Sequence, residues 1–231
     1  MTKYTLLHWI EEILLSWDWL SLNYNAISLL QENEDKIYWS LLCQNQNAIK
    51  IIKANQNNID WETLSGNPSA ISLLEANQDK INWDILSGNP SAISLLKQNF
   101  DKIDWIYLAA NESFDAIVLL EANQDKFNWD ILSGNTFAIS LLKTNQNKIN
   151  WDNLSSNKNA ISLLETNQDK INWIALSSNI NAISLLEANQ DKINWDNLSS
   201  NENAISLLEK NKDKINCEFI SNNKSIFTIV F

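Results

Sequence analysis

Residues 61–82 read WETLSGNPSAISLLEANQDKIN, and residues 83–104 repeat the pattern as WDILSGNPSAISLLKQNFDKID. The tryptophans that open these stretches belong to a series with a spacing of 22 residues. The series is Trp17, Trp39, Trp61, Trp83, Trp105, then Trp129, Trp151, Trp173 and Trp195, with Cys217 in the next equivalent place. The step from Trp105 to Trp129 is 24 residues, and its two extra residues fall in 111–115. Self-similarity at a fixed period of this length is the signature of a repeat protein.

The second half of each repeat has the pattern of a helix, which we name helix B. In residues 70–75 the apolar side chains fall at i, i+1, i+3 and i+4, which is one face of an α-helix. We expect helix B to begin at Asn67-Pro68, because Asn is a good N-cap and Pro suits the first helical position. We expect it to end near Asn77, because Asn tolerates the left-handed backbone that often ends helices.

The first half of each repeat predicts a shorter helix, helix A. It begins near Asn82-Trp83 and directs Trp83 and Leu86 inward, at i and i+3. Two helices this short cannot bury their apolar faces alone, since isolated helices under about 12 residues are marginal in water. The repeats must therefore stack, and the predicted fold is all-α: an α-solenoid of about nine and a half αα-hairpin repeats of 22 residues.

The pattern divides the chain into three parts. Residues 1–16 predict an N-terminal capping helix, with apolar residues at helical spacing and Glu11 and Glu12 on the outer side. Residues 17–216 hold nine tandem repeats, one of them with the two-residue insertion. Residues 217–231 form a C-terminal half-repeat, which we expect to leave an open end.

Two other repeat folds have a similar period. A β-solenoid would stack the recurring Asn side chains coil upon coil. The Ala-Ile-Ser-Leu-Leu-Glu pattern favours helix instead, and three Gly are few for so many turns. A leucine-rich repeat requires L-x-x-L-x-L-x-x-N, which no repeat shows.

The motif W-D-x-L-S-x-N-P-x-A-I-x-L-L-E-x-N-x-D-K-I, as it stands in residues 61–104, resembles short tandem repeats in many proteins of large DNA viruses that infect protists and algae. The resemblance covers nearly the whole chain and implies a giant-virus protein built as a helical repeat array. Most such proteins are uncharacterised, so the resemblance implies no catalytic residue. The Asn-Pro pair is lost after Pro90, and Trp is replaced at Cys217.

Composition and spacing argue against several classes of function. The chain has a formal charge of −11 and no Arg, which argues against a nucleic-acid surface. His8 is the only histidine, and no glycine-rich phosphate loop exists, so we expect no enzyme, no cofactor and no metal site. Cys43 and Cys217 are too far apart in sequence to suggest a metal or redox motif, and we interpret both as structural.

The location follows from the same sequence. No stretch approaches the roughly 18 apolar residues that span a bilayer. The N-terminal apolar segment is broken by two Glu, which argues against a secretory signal. We therefore expect an intracellular protein, in a host cytoplasm or a virus particle, without a membrane partner.

Variation between repeats indicates a surface for a protein partner. The third residue of each repeat varies widely, and on helix A it lies about 200° from the Trp. Along the first two-thirds of the array its large apolar members are Trp19, Leu41, Ile85, Tyr107 and Ile131. Either they form a docking stripe, together with Phe114 in a loop at the insertion, or they pack against the adjacent repeat.

Two further features could recruit partners. The residue after the Leu-Leu pair is acidic in three successive repeats, as Glu165, Glu187 and Glu209. Either this acidic run meets a basic partner, or distance and salt make it harmless. At the C-terminal end, Phe227, Ile229 and Phe231 suggest self-association. The function we expect is a non-enzymatic scaffold for protein–protein interaction; the alternative is a structural component of a virus particle or homo-oligomeric assembly.

Overall fold

A computed structural model describes residues 5–7 and 15–227 of the protein. Over these residues the chain is all-helical and contains no strand, and its helices follow the 22-residue repeat. The fold is thus the predicted α-solenoid rather than a β-solenoid. Most of the predicted capping helix, and residues 228–231 of the half-repeat, lie outside the described residues.

Each repeat contributes one helix A and one helix B. The A helices are α1 (Trp17–Leu22), α3 (Trp39–Leu42), α5 (Trp61–Ser65), α7 (Trp83–Ser87), α9 (Trp105–Ala109), α11 (Trp129–Gly134), α13 (Trp151–Ser156), α15 (Trp173–Ser177), α17 (Trp195–Ser199) and α19 (Cys217–Ile220). The B helices are α2 (Ile27–Glu32), α4 (Ile49–Ala54), α6 (Ile71–Glu75), α8 (Ile93–Gln98), α10 (Phe114–Glu121), α12 (Ile139–Thr144), α14 (Ile161–Glu165), α16 (Ile183–Glu187) and α18 (Ile205–Glu209).

The chain forms two compact units, residues 1–111 and residues 112–231. The division falls at the two-residue insertion that the repeat spacing identifies. Within the first unit the A helices pack in sequence order from α1 to α9, and within the second unit from α11 to α19. Each unit is therefore a stack in which every repeat contacts its neighbours, as expected of a solenoid.

Helix A begins as the sequence predicts. The side chain of Asn82 accepts a hydrogen bond from the Ile85 N–H, which is 3.1 Å from the Asn82 Oδ1, so Asn82 is the N-cap of α7. Helix B is preceded by a short turn: Asn67 caps a 3-10 helix over Pro68–Ala70, and α6 follows directly. These caps satisfy backbone N–H groups that a short helix leaves unpaired.

The predicted left-handed end of helix B is wrong. Asn77 has φ −137°, and no described residue has a positive φ. Instead the Asn77 Nδ2 donates to the carbonyl of Leu73 at 2.9 Å, four residues back. A 3-10 helix, Gln78–Lys80, then leads to the next repeat. The Asn77 side chain thus pairs a carbonyl at the end of helix B. In a left-handed helix end, a backbone N–H would pair such a carbonyl instead.

The core consists of aliphatic side chains from both helices. The fourth residue of a repeat, such as Leu64 or Leu154, is fully buried, and so is the Leu that ends the Leu-Leu pair, such as Leu74. Burying one such side chain contributes about 1.5–3 kcal/mol. Leu86 is buried as predicted, whereas Trp83 is only half-buried, and the other repeat tryptophans of the described chain are also half-buried. The prediction that Trp marks a core position is therefore wrong.

A lysine of the same repeat covers the exposed face of the Trp ring. The Lys Nζ lies 4.4–4.7 Å from the ring centroid. The pairs are Lys36–Trp17, Lys80–Trp61, Lys102–Trp83, Lys148–Trp129, Lys170–Trp151, Lys192–Trp173 and Lys214–Trp195. This distance permits a cation–π interaction, which explains why the Trp and the Lys recur together.

Buried Asn side chains join successive repeats. The Asn179 Nδ2 donates to the carbonyls of Ser155 at 3.0 Å and Asn157 at 3.1 Å, both in the preceding repeat. Its Oδ1 accepts the Asn181 N–H at 3.1 Å. The same inter-repeat bond is made by Asn45, Asn67, Asn89 and Asn111 in the first unit and by Asn157, Asn201 and Asn223 in the second. We call this series the asparagine ladder.

In most repeats a serine near the end of helix A bonds to the next repeat. The Ser155 Oγ donates to the Trp151 carbonyl at 2.7 Å and accepts the Asn172 N–H at 3.0 Å. Asn172 is the N-cap of the next helix A, α15. The hydroxyl therefore fixes the end of one helix A against the start of the next.

Candidate docking surfaces

The described residues carry no cluster of metal-ligating side chains. They include no group of three or more His, Cys, Asp or Glu side chains that could hold a metal ion. No helix among them is both long and apolar enough to cross a membrane. His8 lies outside the described residues.

The two cysteines differ in accessibility. Cys43 is fully buried and takes the place of the helix A serine, where its sulfur accepts the backbone N–H of Asp60. Burial raises the pKa of the Cys43 thiol to about 11. The thiolate is the nucleophilic form of cysteine, so this thiol is inert at neutral pH. Cys217 is exposed, at the place of a repeat tryptophan.

The third residues of repeats in the first unit lie on the A helices α1 to α9. Trp19 is 71% exposed and Tyr107 46% exposed, whereas Leu41 and Ile85 are half-buried. Because these four residues share one position of the repeat, each lies on the same side of its helix A. We call Trp19, Leu41, Ile85 and Tyr107 the unit 1 stripe.

The unit 1 stripe also contacts the preceding repeats. A Cβ atom at Gly66 would lie 3.3 Å from the Ile85 Cγ2, and one at Gly88 would lie 3.7 Å from the Tyr107 Cδ1. Ile85 and Tyr107 therefore pack over the residue that ends the preceding helix A. Tyr107 nevertheless keeps nearly half of its surface in solvent, so the two alternatives from the sequence, inter-repeat packing and exposure, are not exclusive.

A further apolar residue lies next to the unit 1 stripe and was missed from the sequence. Ile106, the second residue of its repeat, is 56% exposed. The same position holds Asp18, Glu62 and Asp84 in other repeats of the unit. The replacement of an acid by Ile at a solvent-facing position was the signal that could have identified it.

In the second unit the third position has a different role. Ile131 is half-buried on α11. In two later repeats the position is Asn: the Asn153 Nδ2 donates to the Asp130 carbonyl at 2.8 Å, and the Asn197 Nδ2 to the Ile174 carbonyl at 2.9 Å. These bonds join neighbouring repeats, so the third position does not form a continuous apolar surface in this unit.

Phe114 begins a helix, so its placement in a loop is wrong. Ser113 is the N-cap of α10, and its Oγ accepts the Ala116 N–H at 3.2 Å. Phe114 is 71% exposed, and Val118, one turn later on the same face, is 45% exposed. We call Phe114 and Val118 the α10 patch.

The predicted acidic run is exposed but partly paired. Glu165, Glu187 and Glu209 are all exposed, at or near the ends of α14, α16 and α18. The Glu187 Oε1 lies 3.6 Å from the Nζ of Lys210, in the following repeat. Lys210 partly offsets the acidic charge, although an exposed pair of this kind contributes only about 0–1 kcal/mol.

At the C-terminal end, the predicted self-association residues are described only in part. Phe227 is 79% exposed and the neighbouring Ile226 43% exposed. Ile229 and Phe231 lie outside the described residues. Self-association through this end stays a prediction.

No protein-family model, curated protein or solved structure matches the chain. The fold and the inter-repeat contacts therefore define the protein by its class alone, as a tandem-repeat α-solenoid. Its repeats are joined by buried Asn side chains, and its candidate sites are exposed apolar residues on A and B helices.

Proposed function

We propose that the protein is a non-enzymatic scaffold that binds a protein partner through the unit 1 stripe, extended by Ile106. The observation that carries this proposal is the exposure of Trp19, Ile106 and Tyr107, at 71%, 56% and 46%. Aromatic residues dominate the binding energy of many protein interfaces, because each buries a large area with few rotamers to immobilise. Solenoids commonly bind partners along such extended surfaces.

The departure of Ile106 from the repeat pattern supports the proposal. In the preceding repeat the same position is Asp84, which is exposed and compatible with the fold. The fold therefore does not require Ile at this position. A binding role explains an exposed Ile at the second position next to an exposed Tyr at the third.

The test uses a substitution that restores the repeat pattern. Ile106→Asp introduces the side chain found at position 84. The free energy of unfolding, measured from the thermal transition, should therefore change by less than about 0.5 kcal/mol. The matched control is Ile174→Asp, at the same repeat position in the second unit, where Ile174 is 60% exposed. Both variants and the unchanged chain are used to capture proteins from cells that contain the protein.

We expect the unchanged chain and Ile174→Asp to retain a partner that Ile106→Asp loses. Equal retention by all three chains would contradict binding through the unit 1 stripe. A large fall in stability of Ile106→Asp would show instead that the residue belongs to inter-repeat packing.

The origin and location of the protein are separate proposals. The resemblance of its repeat to those of large DNA viruses supports an intracellular role in an infected cell, or a place in the virus particle. Detection of the protein in purified particles by mass spectrometry, against its level in infected cells, distinguishes these two locations.

A further inference from the structure

Repeats throughout the chain show what the face of the repeat Trp binds. In seven of them a Lys Nζ lies over the ring, at 4.4–4.7 Å from its centroid. In three of these the same Nζ also donates to the Oδ1 of an Asn: Lys36 to Asn33 at 3.1 Å, Lys170 to Asn167 at 3.4 Å, and Lys192 to Asn189 at 3.3 Å. An ammonium group at this place is held between an aromatic face and an amide oxygen.

The second repeat has the Trp and the Asn of this arrangement but lacks the lysine. Trp39 is half-buried like the other repeat tryptophans. Asn55 has the backbone conformation of Asn33, with φ −124° and ψ 50° against −136° and 53°, and its Nδ2 donates to the Ile51 carbonyl at 3.1 Å. The residue at the place of the lysine is Asn58, which carries no charge.

The segment that holds Asn58 is open to solvent. Ile59, which follows Asn58, is half-buried, whereas its equivalents Ile37 and Ile81 are each only 8% exposed. Residues 53–58 line an open, polar depression on the surface. Among the described residues, no Lys lies over the Trp39 ring.

We propose that the face of Trp39 and the Oδ1 of Asn55 bind the ammonium group of a lysine from another polypeptide. Seven other repeats specify the chemistry, because each places a primary ammonium on the equivalent ring. The formal charge of −11 favours a basic partner. The nearby Lys53 does not take the site, since its Nζ donates to the Ser72 Oγ of the following repeat at 3.0 Å.

This site is distinct from the unit 1 stripe, and either can be correct without the other. The stripe is formed by third residues of the A helices, whereas this site is formed by the first residue of α3 and the segment after α4. A single cation–π contact at an exposed position is weak. The site would thus fix which lysine of a bound basic segment lies at Trp39. It would not supply most of the affinity for that segment.

The experiment follows the indole N–H resonances of the full chain by NMR. The probe is the capped peptide acetyl-Gly-Lys-Gly-amide, and the control is the same peptide acetylated on the lysine Nε, which removes the charge. The Trp39 resonance is identified by its loss in Trp39→Phe. The matched variant is Asn58→Lys, which supplies the missing lysine in cis and follows the sequence of the other repeats.

We expect a concentration-dependent shift of the Trp39 resonance with the charged peptide and little shift at Trp61 or Trp83, whose faces are covered. Acetylation of the peptide should weaken binding by roughly two- to fivefold. Asn58→Lys should abolish the shift while keeping the rest of the spectrum. An equal response to both peptides, an equal response at Trp61, or an undiminished response in Asn58→Lys would overturn the proposal.

Discussion

Removal of one rung of the asparagine ladder, by Asn179→Ala, tests how the repeats are joined. The Asn179 side chain is 3% exposed and makes three hydrogen bonds, two as a donor to the preceding repeat and one as an acceptor from Asn181. The substitution removes all three and leaves buried polar groups without this partner. Asn179 lies within the second unit, so both neighbouring repeats are present.

The expected loss of stability follows from these bonds. A typical intramolecular hydrogen bond contributes about 1 kcal/mol net, so three give about 3 kcal/mol. In a solenoid the loss falls on the interface between two neighbouring repeats, because each repeat contacts only its neighbours. With a urea m-value of about 2 kcal/mol per molar, the midpoint of unfolding should fall by about 1.5 M.

The assay is urea unfolding followed by far-UV circular dichroism, with a matched control in the same loop. Asn181 also donates to the preceding repeat, to the Lys158 carbonyl at 2.8 Å, but this bond is exposed. Asn181→Ala should therefore cost less than about 1 kcal/mol. Asn179→Asp keeps the size of the side chain but loses both N–H donors, and should be at least as damaging as Asn179→Ala at neutral pH. If Asn179→Ala lowers the midpoint no more than Asn181→Ala, the ladder does not hold the repeats together.

Other predictions concern thiols and glycines. Cys217 should react with a thiol reagent in the folded protein at pH 8, and Cys43 should not; equal rates would contradict the burial of Cys43. The raised pKa of the Cys43 thiol, about 11 against 9.0 when unperturbed, means that the unfolded chain loses this proton first as the pH rises. The stability that the protonated Cys43 thiol contributes should therefore be present below about pH 9 and be lost between pH 9 and 11. Urea unfolding of the unchanged chain and of Cys43→Ser across this range should show the loss as a difference in their free energies of unfolding. Gly134→Ala should raise the thermal midpoint by about 2 °C, because its Cβ would meet nothing within 4 Å and helical Gly costs about 0.5–1 kcal/mol relative to Ala. Gly66→Ala should gain less, because its Cβ would lie 3.3 Å from the Ile85 Cγ2; a larger gain at Gly66 than at Gly134 would refute this.

The repeat period and the helical pattern were sufficient to predict the fold. The 22-residue spacing located every helix A, and the apolar face of residues 70–75 located helix B. The Asn caps of helix A followed from local rules, since a cap depends on residues a few positions apart. Local patterns therefore determined which segments are helical.

Contacts between repeats were not predictable in the same way. The recurring Asn was interpreted as helix capping, but the Nδ2 of Asn179 bonds carbonyls 22 and 24 residues earlier in the chain. The Trp was placed in the core because it lies three residues before a buried Leu on helix A, yet its ring faces a lysine of its own repeat, 19 residues later. Capping is confirmed at Asn67 and Asn82, but it is only part of what the recurring Asn residues do. The pattern of a single helix shows neither the inter-repeat bonds of Asn nor the lysine that covers the Trp.

The candidate sites were predicted in part. Trp19 and Tyr107 are exposed, as the variable third position indicated. Ile106 and Val118 were missed because each replaces a polar residue of other repeats at a position other than the third. Whether these residues bind a partner depends on a second molecule, which neither the sequence nor the fold of one chain contains.

The most direct test of the account is hydrogen exchange of the Asn side-chain amides, measured by NMR on protein labelled with nitrogen-15 at Asn. Slow exchange is expected for the buried Nδ2 groups that donate to two carbonyls, in Asn45, Asn67, Asn157, Asn179, Asn201 and Asn223. The exposed amide of Asn25 should exchange rapidly. Equally rapid exchange of the buried and exposed amides would show that the repeats are not joined by the asparagine ladder.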